Sequence, residues 1–265
     1  MKKSKLFLIP LLAALLMACA TSKTIEDPGA AFKGQTEDQV YNKAESALKK
    51  GDYSKAIKAF EGLDALYPFG QHAQQAQLDI IYAYYKDNDV PSTLAASDRY
   101  IHLYPLGPHA DYAYYMRGLA EFYENHGFLE TYISTDYSQR NLTSMHNAFN
   151  DFSQLVTSYP TSIYTPDARL RMIYIRNVMA RHVLEVANFY YVRAAYIAAA
   201  NRANEVIAHY QETTSVPGAL VILTEANLKL GYVDAAARAY RVLALNYPDN
   251  PNLKELAMQL SAYKK

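Results

Sequence analysis

The chain has 265 residues, of which 51% are hydrophobic and 20% charged, with 26 basic residues balanced by 26 acidic ones. That balance argues against a nucleic-acid binder, which shows a basic patch or stripe, while the length suffices to bury a large core. A single cysteine leaves the body without disulfides or a cysteine-based metal site.

The first element is a leader. Lys2, Lys3 and Lys5 precede an apolar run, Leu6 to Met17, which has the length of a signal-peptide core and is too short to span a bilayer. Its end, Leu16-Met17-Ala18-Cys19, resembles the lipobox of bacterial lipoproteins. The resemblance implies that residues 1–18 are a removed signal peptide. It further implies that the Cys19 thiol carries diacylglycerol and that the new N-terminus is acylated, as with palmitate. No other cofactor is expected. Each buried CH₂ contributes about 0.8 kcal/mol, so one chain anchors marginally and several anchor durably. Ala20, where inner-membrane lipoproteins typically carry Asp, points to the periplasmic face of the outer membrane. Loss of the leader takes three lysines and leaves 23 basic against 26 acidic residues in 247. Residues 19–35 read as a lipidated flexible tether, which as a coil reaches roughly 20 Å.

From Thr36 onward the apolar spacing is helical, as in Tyr41, Ala44 and Leu48, then Ala56, Ile57, Phe60 and Leu63. Gly51-Asp52 marks a turn between the two runs, and Pro68 stops the second. This helix, turn, helix, stop unit recurs. Tyr-Pro stands at 67–68, 104–105, 159–160 and 247–248, with Tyr210-Gln211 in the remaining place. Twelve residues before the stop stand Ala56, Thr93, Ala148, Ala199 and Ala236. Eight before it stand Phe60, Ser97, Phe152, Ala203 and Tyr240. A small residue, a large one, then proline is the tetratricopeptide pattern, so the expected fold is an all-α solenoid over 36–265. Five units are expected at about 36–68, 71–105, 108–160, 165–211 and 216–248, with a C-terminal capping helix at 252–263. Thr93 and Ser97 suggest a shifted second helix in unit 2. Unit 3 is enlarged by a loop over Gly127 to Arg140. Unit 4 is enlarged in its helices, because Thr165 to Tyr210 contains no breaker.

Chemistry-bearing motifs are sparse. None of the seven histidines makes a metal-ligand spacing, and no nucleophile triad, phosphate loop or dinucleotide fingerprint is present. Glu121 and Glu124 share a helix turn, as a hydrolase would need, but solvated helix carboxylates are far commoner. The chain therefore reads as an adaptor and not as an enzyme. The densest cluster runs from Tyr67 to Lys86. Tyr67, Phe69, Gln75, Asp79, Tyr82 and Tyr85 offer an aromatic and polar face, and Tyr115 and Arg117 continue it on the next unit's first helix. The same residues could equally pack one unit on the next.

Leu66-Tyr67-Pro68-Phe69-Gly70, the run Gln77 to Lys86, and Asp111 to Leu119 resemble the BamD family, the tetratricopeptide lipoproteins of the outer-membrane β-barrel assembly (BAM) complex. Ala148 to Phe152 and Asn201-Arg202 add to the likeness, which covers essentially the whole mature chain. The resemblance implies a scaffold for protein insertion into the membrane. In it the C-terminal units hold a POTRA domain of a BamA-type barrel protein, with Asn201 and Arg202 at that contact. Other lipoproteins such as BamC and BamE bind alongside, and the N-terminal units receive unfolded outer-membrane proteins. Asn141 departs from the family's usual Asp in the unit 3 loop. Another tetratricopeptide lipoprotein, such as a secretin pilotin, is the alternative reading.

Overall fold

The computed structural model describes residues 27–124 and 142–263, and all of its regular structure there is helical. Cys19, the leader and the loop over Gly127 to Arg140, with Asn141, lie outside the described residues. Among the described residues eleven α-helices follow one another: α1 Glu37–Lys49, α2 Tyr53–Leu66, α3 Ala73–Lys86, α4 Val90–Leu103, α5 Ala110–Tyr123, α6 Thr143–Ser158, α7 Thr165–Val192, α8 Tyr196–His209, α9 Val216–Lys229, α10 Val233–Asn246 and α11 Leu253–Ala262. The chain forms two compact units, one ending at Ala83 and the other beginning at Tyr84.

The fold is a tetratricopeptide α-solenoid, and its repeat is visible atom by atom. Each hairpin ends on a tyrosine, at 67, 104, 159, 210 and 247, with φ between −125° and −135° and ψ between 42° and 63°. Each of these tyrosines donates its N–H to the carbonyl four residues earlier. Its own carbonyl then accepts from the residue three positions on, namely Gly70, Gly107, Ser162, Thr213 or Asn250. Those residues accept in turn from the first residue of the next helix. Tyr210 does all this with Gln211 after it, so proline reinforces a turn that backbone hydrogen bonds already close.

The positions twelve before the stop, Ala56, Thr93, Ala148, Ala199 and Ala236, are all fully buried. Ser97 is fully buried too, so the second helix of unit 2 keeps its register and the expected shift does not occur. In unit 3 the close approach is made from both sides. Phe152 of α6 lies over Gly118 of α5, where a Cβ would fall 2.7 Å from its ring. In the second compact unit the first helices also stack, α7 on α9 and α9 on α11.

One expected boundary differs from the structure. The body starts before Thr36, because Ala30–Phe32 forms a 3₁₀ turn and a Cβ on Gly62 of α2 would overlap the Phe32 ring. Those residues are therefore packed and not tether. In unit 4 the surplus lengthens the first helix, the 28-residue α7, which ends without a sequence breaker in a turn where Ala194 adopts φ +59°, as Asn88 does between α3 and α4. Gly51 and Gly231 occupy the same place in units 1 and 5, at φ +75° and +77°.

An alanine in the left-handed region costs roughly 1–2 kcal/mol, part of which a glycine gives back through its unfolded-state entropy. Ala194→Gly is accordingly predicted to stabilise the protein by about 0.5–1 kcal/mol, measured by urea denaturation; a destabilised variant would contradict this origin of the turn. The Ser97 hydroxyl is buried with no hydrogen-bond partner. Ser97→Ala is predicted to raise stability by about 1 kcal/mol, and a loss would mean that the hydroxyl has a partner after all.

Candidate functional site

The N-terminal cluster divides into residues used inside the fold and residues left to solvent. Glu37, in the first turn of α1, reaches the start of α3, where its carboxylate accepts from the His72 N–H at 2.6 Å. A carboxylate suits an exposed helix N-terminus, whose N–H groups lack partners. One turn further along α1, Tyr41 stacks on the His72 ring at 4.2 Å. Its hydroxyl donates to Asp79 Oδ2 at 3.1 Å, and Gln75 Nε2 donates to Asp79 Oδ1 at 2.8 Å. Burial pushes the Asp79 carboxyl above its ordinary range, against these hydrogen bonds. Burial next to Asp79 likewise raises the Tyr41 phenol. Tyr67 donates to the Gln35 carbonyl and so latches the end of its hairpin to the chain entering α1. Tyr67 and Asp79, expected to meet a partner, thus direct polar groups into the repeat, while Gln75 covers Asp79 from the solvent side and remains exposed.

Phe69 and Tyr82 do not. Phe69, in the turn after Pro68, is 99% exposed, and Tyr82 is 39% exposed. Leu106 occupies the Phe69 place in the next Tyr-Pro turn and is equally exposed. Large apolar side chains held in solvent on rigid turns offer contact area at little conformational cost.

The second compact unit repeats the α1 device. Asp111 and Tyr115 on α5 stand four residues apart, as Glu37 and Tyr41 do. Asp111 accepts from Ser162 Oγ at 2.6 Å, Tyr115 stacks on Tyr164 at 4.7 Å, and the Tyr115 hydroxyl donates to Asp167 at 2.7 Å. Burial and this contact push the Tyr115 phenol up to about 12. Burial opposes the Asp167 carboxylate, but hydrogen bonds from Arg171, at 2.5 Å, and Tyr115 hold its pKa below the ordinary value. Arg117 bridges two helices by donating to Asp98 of α4 and, at 2.6 Å, to Asp151 of α6. Its expected surface role is replaced by this structural one. Tyr85 is half-buried and lines a cavity of about 400 Å³ with Thr93, Tyr123 and Glu124.

Asn201 and Arg202 are exposed on α8. Arg202 donates to Glu205 at 2.6 Å and lines a cleft of about 320 Å³ with Met179, Val183, His146 and His182. An exposed (i, i+3) ion pair contributes little to stability, so this guanidinium can be redirected to an incoming carboxylate at small cost.

Sequence reasoning missed Tyr41, His72, Asp98, Asp151, Asp167 and Arg171. Its available signal was the acid-x-x-x-Tyr spacing shared by Glu37-Tyr41 and Asp111-Tyr115 at the start of two first helices.

A family profile described as an outer membrane lipoprotein, YfiO, matches residues 33–243. The outer membrane protein assembly factor BamD of Neisseria meningitidis serogroup B is 39% identical over 251 residues, 95% of this chain and 94% of that protein. The chain belongs to the BamD family of outer membrane lipoproteins. Other BamD proteins give the same picture. That of Vibrio cholerae is 36% identical over 88% of this chain and 94% of its own length, and that of Haemophilus influenzae 32% over 98% and 100%. Among solved structures, a tetratricopeptide protein of Thermus thermophilus aligns at a TM-score of 0.38 with 14% identity, covering 86% of this chain and 99% of that one, too distant a likeness to carry weight.

In this BamD-family chain the paired carboxylates part company: Glu121 is buried in the helix packing, whereas Glu124 is exposed at the end of α5. Asn147 donates to Glu121 at 3.1 Å, and burial, aided by Glu124 and Asp151, raises the Glu121 carboxyl above its ordinary 4.5. The native state therefore keeps this proton to higher pH than the unfolded chain does, so the associated stability is complete below pH 4.5 and lost as pH rises through the native value. Glu121→Gln keeps the acceptor for Asn147 and removes the charge. It is expected to be more stable than the parent at pH 7, with the advantage shrinking as pH falls to 4.5; thermal melts at several pH values check the sign.

Proposed function

We propose that this chain is a lipid-anchored scaffold of outer-membrane protein assembly that works by adding up weak contacts and performs no chemistry of its own. The observation that carries this reading is the match along 95% of the chain to proteins named outer membrane protein assembly factors. Cys19 bears the lipid and holds the body at the periplasmic face of the outer membrane. The N-terminal units receive unfolded outer-membrane proteins. Phe69 and Tyr82 meet the aromatic side chains of an extended client strand, and Tyr85 flanks them in sequence. Exposure of Phe69 and Tyr82 supports this part. Tyr67, Asp79 and Gln75 hold the helices that present them. Ordering a disordered segment costs about 2–5 kcal/mol, so capture is weak and the client can be handed on. The lipid anchor compensates by confining scaffold and partners to one surface.

The C-terminal units bind a BamA-type barrel protein through a POTRA domain, with Arg202 and Asn201 at the contact. An arginine fork pairs with a carboxylate bidentately, and support comes from the exposure of Arg202 beside a cleft of mixed polar and apolar lining. Lipoproteins of the BamC and BamE type are further partners.

Three measurements test the proposal. Cys19→Ser should move the protein from the membrane fraction to the soluble periplasm. A photo-crosslinker at position 82 should label a client C-terminal peptide, and labelling confined to α7–α10 would overturn the N-terminal assignment. Arg202→Glu should lower recovery of the BamA-type partner from gently solubilised outer membranes at least tenfold, whereas recovery of a secretin alone from the parent protein would favour a pilotin.

A further inference from the structure

The last hairpin and the helix after it enclose a cleft of about 520 Å³. Ala257 and Leu260 of α11 form part of its apolar lining, and Ser261 adds a hydroxyl. Across from them α10 contributes Asp234, Arg238 and Arg241. Both arginines are exposed, and neither enters an ion pair or hydrogen bond among the described residues. This contrasts with Arg117 and Arg171, which are tied to carboxylates. Two uncommitted guanidinium groups thus border a recess with an apolar lining.

We propose that the cleft between α10 and α11 is a docking site for an acidic side chain flanked by apolar ones, on an exposed segment of a protein partner. Charge selects the occupant. Two arginines against one aspartate leave a single net positive charge on the lining, which matches one carboxylate. The guanidinium fork suits the planar carboxylate, whereas the Ser261 hydroxyl already donates to the Met258 carbonyl at 2.7 Å, so the two arginines carry the recognition. Phosphate has no apolar groups for Ala257 and Leu260 to cover, so it forgoes that part of the binding. Leu260 and Ala257 give the neighbouring aliphatic side chains a surface to cover, at about 25 cal/mol per Å² removed from water. The site deepens the C-terminal partner surface and rests on that reading for the class of partner. It lies on different helices from Arg202 and adds a second point of attachment.

The test uses the full chain in detergent micelles with methyl-labelled Ala and Leu. It is titrated by NMR with the blocked peptide Ac-Ala-Leu-Glu-Leu-Ala-amide, the same peptide with Gln for Glu, and inorganic phosphate. The Glu peptide is expected to shift the Ala257 and Leu260 methyl signals at millimolar concentration. The Gln peptide and phosphate should bind at least tenfold more weakly, and added salt should weaken the Glu peptide. Arg238→Gln and Arg241→Gln should each reduce binding, and the double variant should abolish it with an unchanged thermal melt. Equal binding of the Gln peptide, tighter binding of phosphate, binding retained by the double variant, or no shift at these methyls would each overturn the proposal. No partner protein enters the experiment, so it can fail while the crosslinking and recovery experiments above succeed, and the reverse.

Discussion

The constraint beneath the whole structure is the closeness of paired helices at one small side chain per hairpin. Ala56, Thr93, Ala148, Ala199 and Ala236 have no exposed surface, and protein interiors at native density leave no room there for a larger group. Around this point the other features fall into place. The large residue one turn later fills the space beside the contact, as Phe60 and Phe152 do. In the four hairpins whose helices are joined directly, the turn is tight and one residue in it, Gly51, Asn88, Ala194 or Gly231, adopts left-handed geometry.

A second layer of interaction joins one hairpin to the next. An acid in the first turn of α1 or α5 and a tyrosine one turn on take hold of the helix that begins the following unit. These contacts use polar groups to specify register, since a slip of one residue would leave a half-buried carboxylate without its donors. They also explain why tyrosine is so abundant. Its ring packs in a seam while its hydroxyl reaches a partner across it, as Tyr67 and Tyr159 do toward the backbone ahead of their own hairpins. Many of the tyrosines that look like a binding face in the sequence are therefore fastenings.

Much of the fold was legible because it depends on local spacing. The stop motif, the small and large positions before it and the glycine turns could be read along the chain, and they placed the hairpins. Three things were not legible. The Ala194 turn has no breaker, since the left-handed alanine there is enforced by the packing of α7 and α8 on either side. The early start of the body depends on Phe32 finding Gly62 thirty residues away. The polar fastenings pair residues 34 to 52 positions apart, a separation at which no periodicity speaks. Of the candidate site, Phe69, Tyr82, Asn201 and Arg202 stand where a partner could reach them. Arg117, which looked equally available, is held between Asp98 and Asp151.

The stop at Tyr210, closed by main-chain hydrogen bonds without a proline, has a wider implication. A turn written mainly in the backbone tolerates drift in its letters, so a descendant of such a chain could lose every Tyr-Pro pair and still count off its hairpins correctly. Searches keyed to that dipeptide would overlook it, whereas the pair of carbonyl-to-amide links spaced three residues apart would remain its signature.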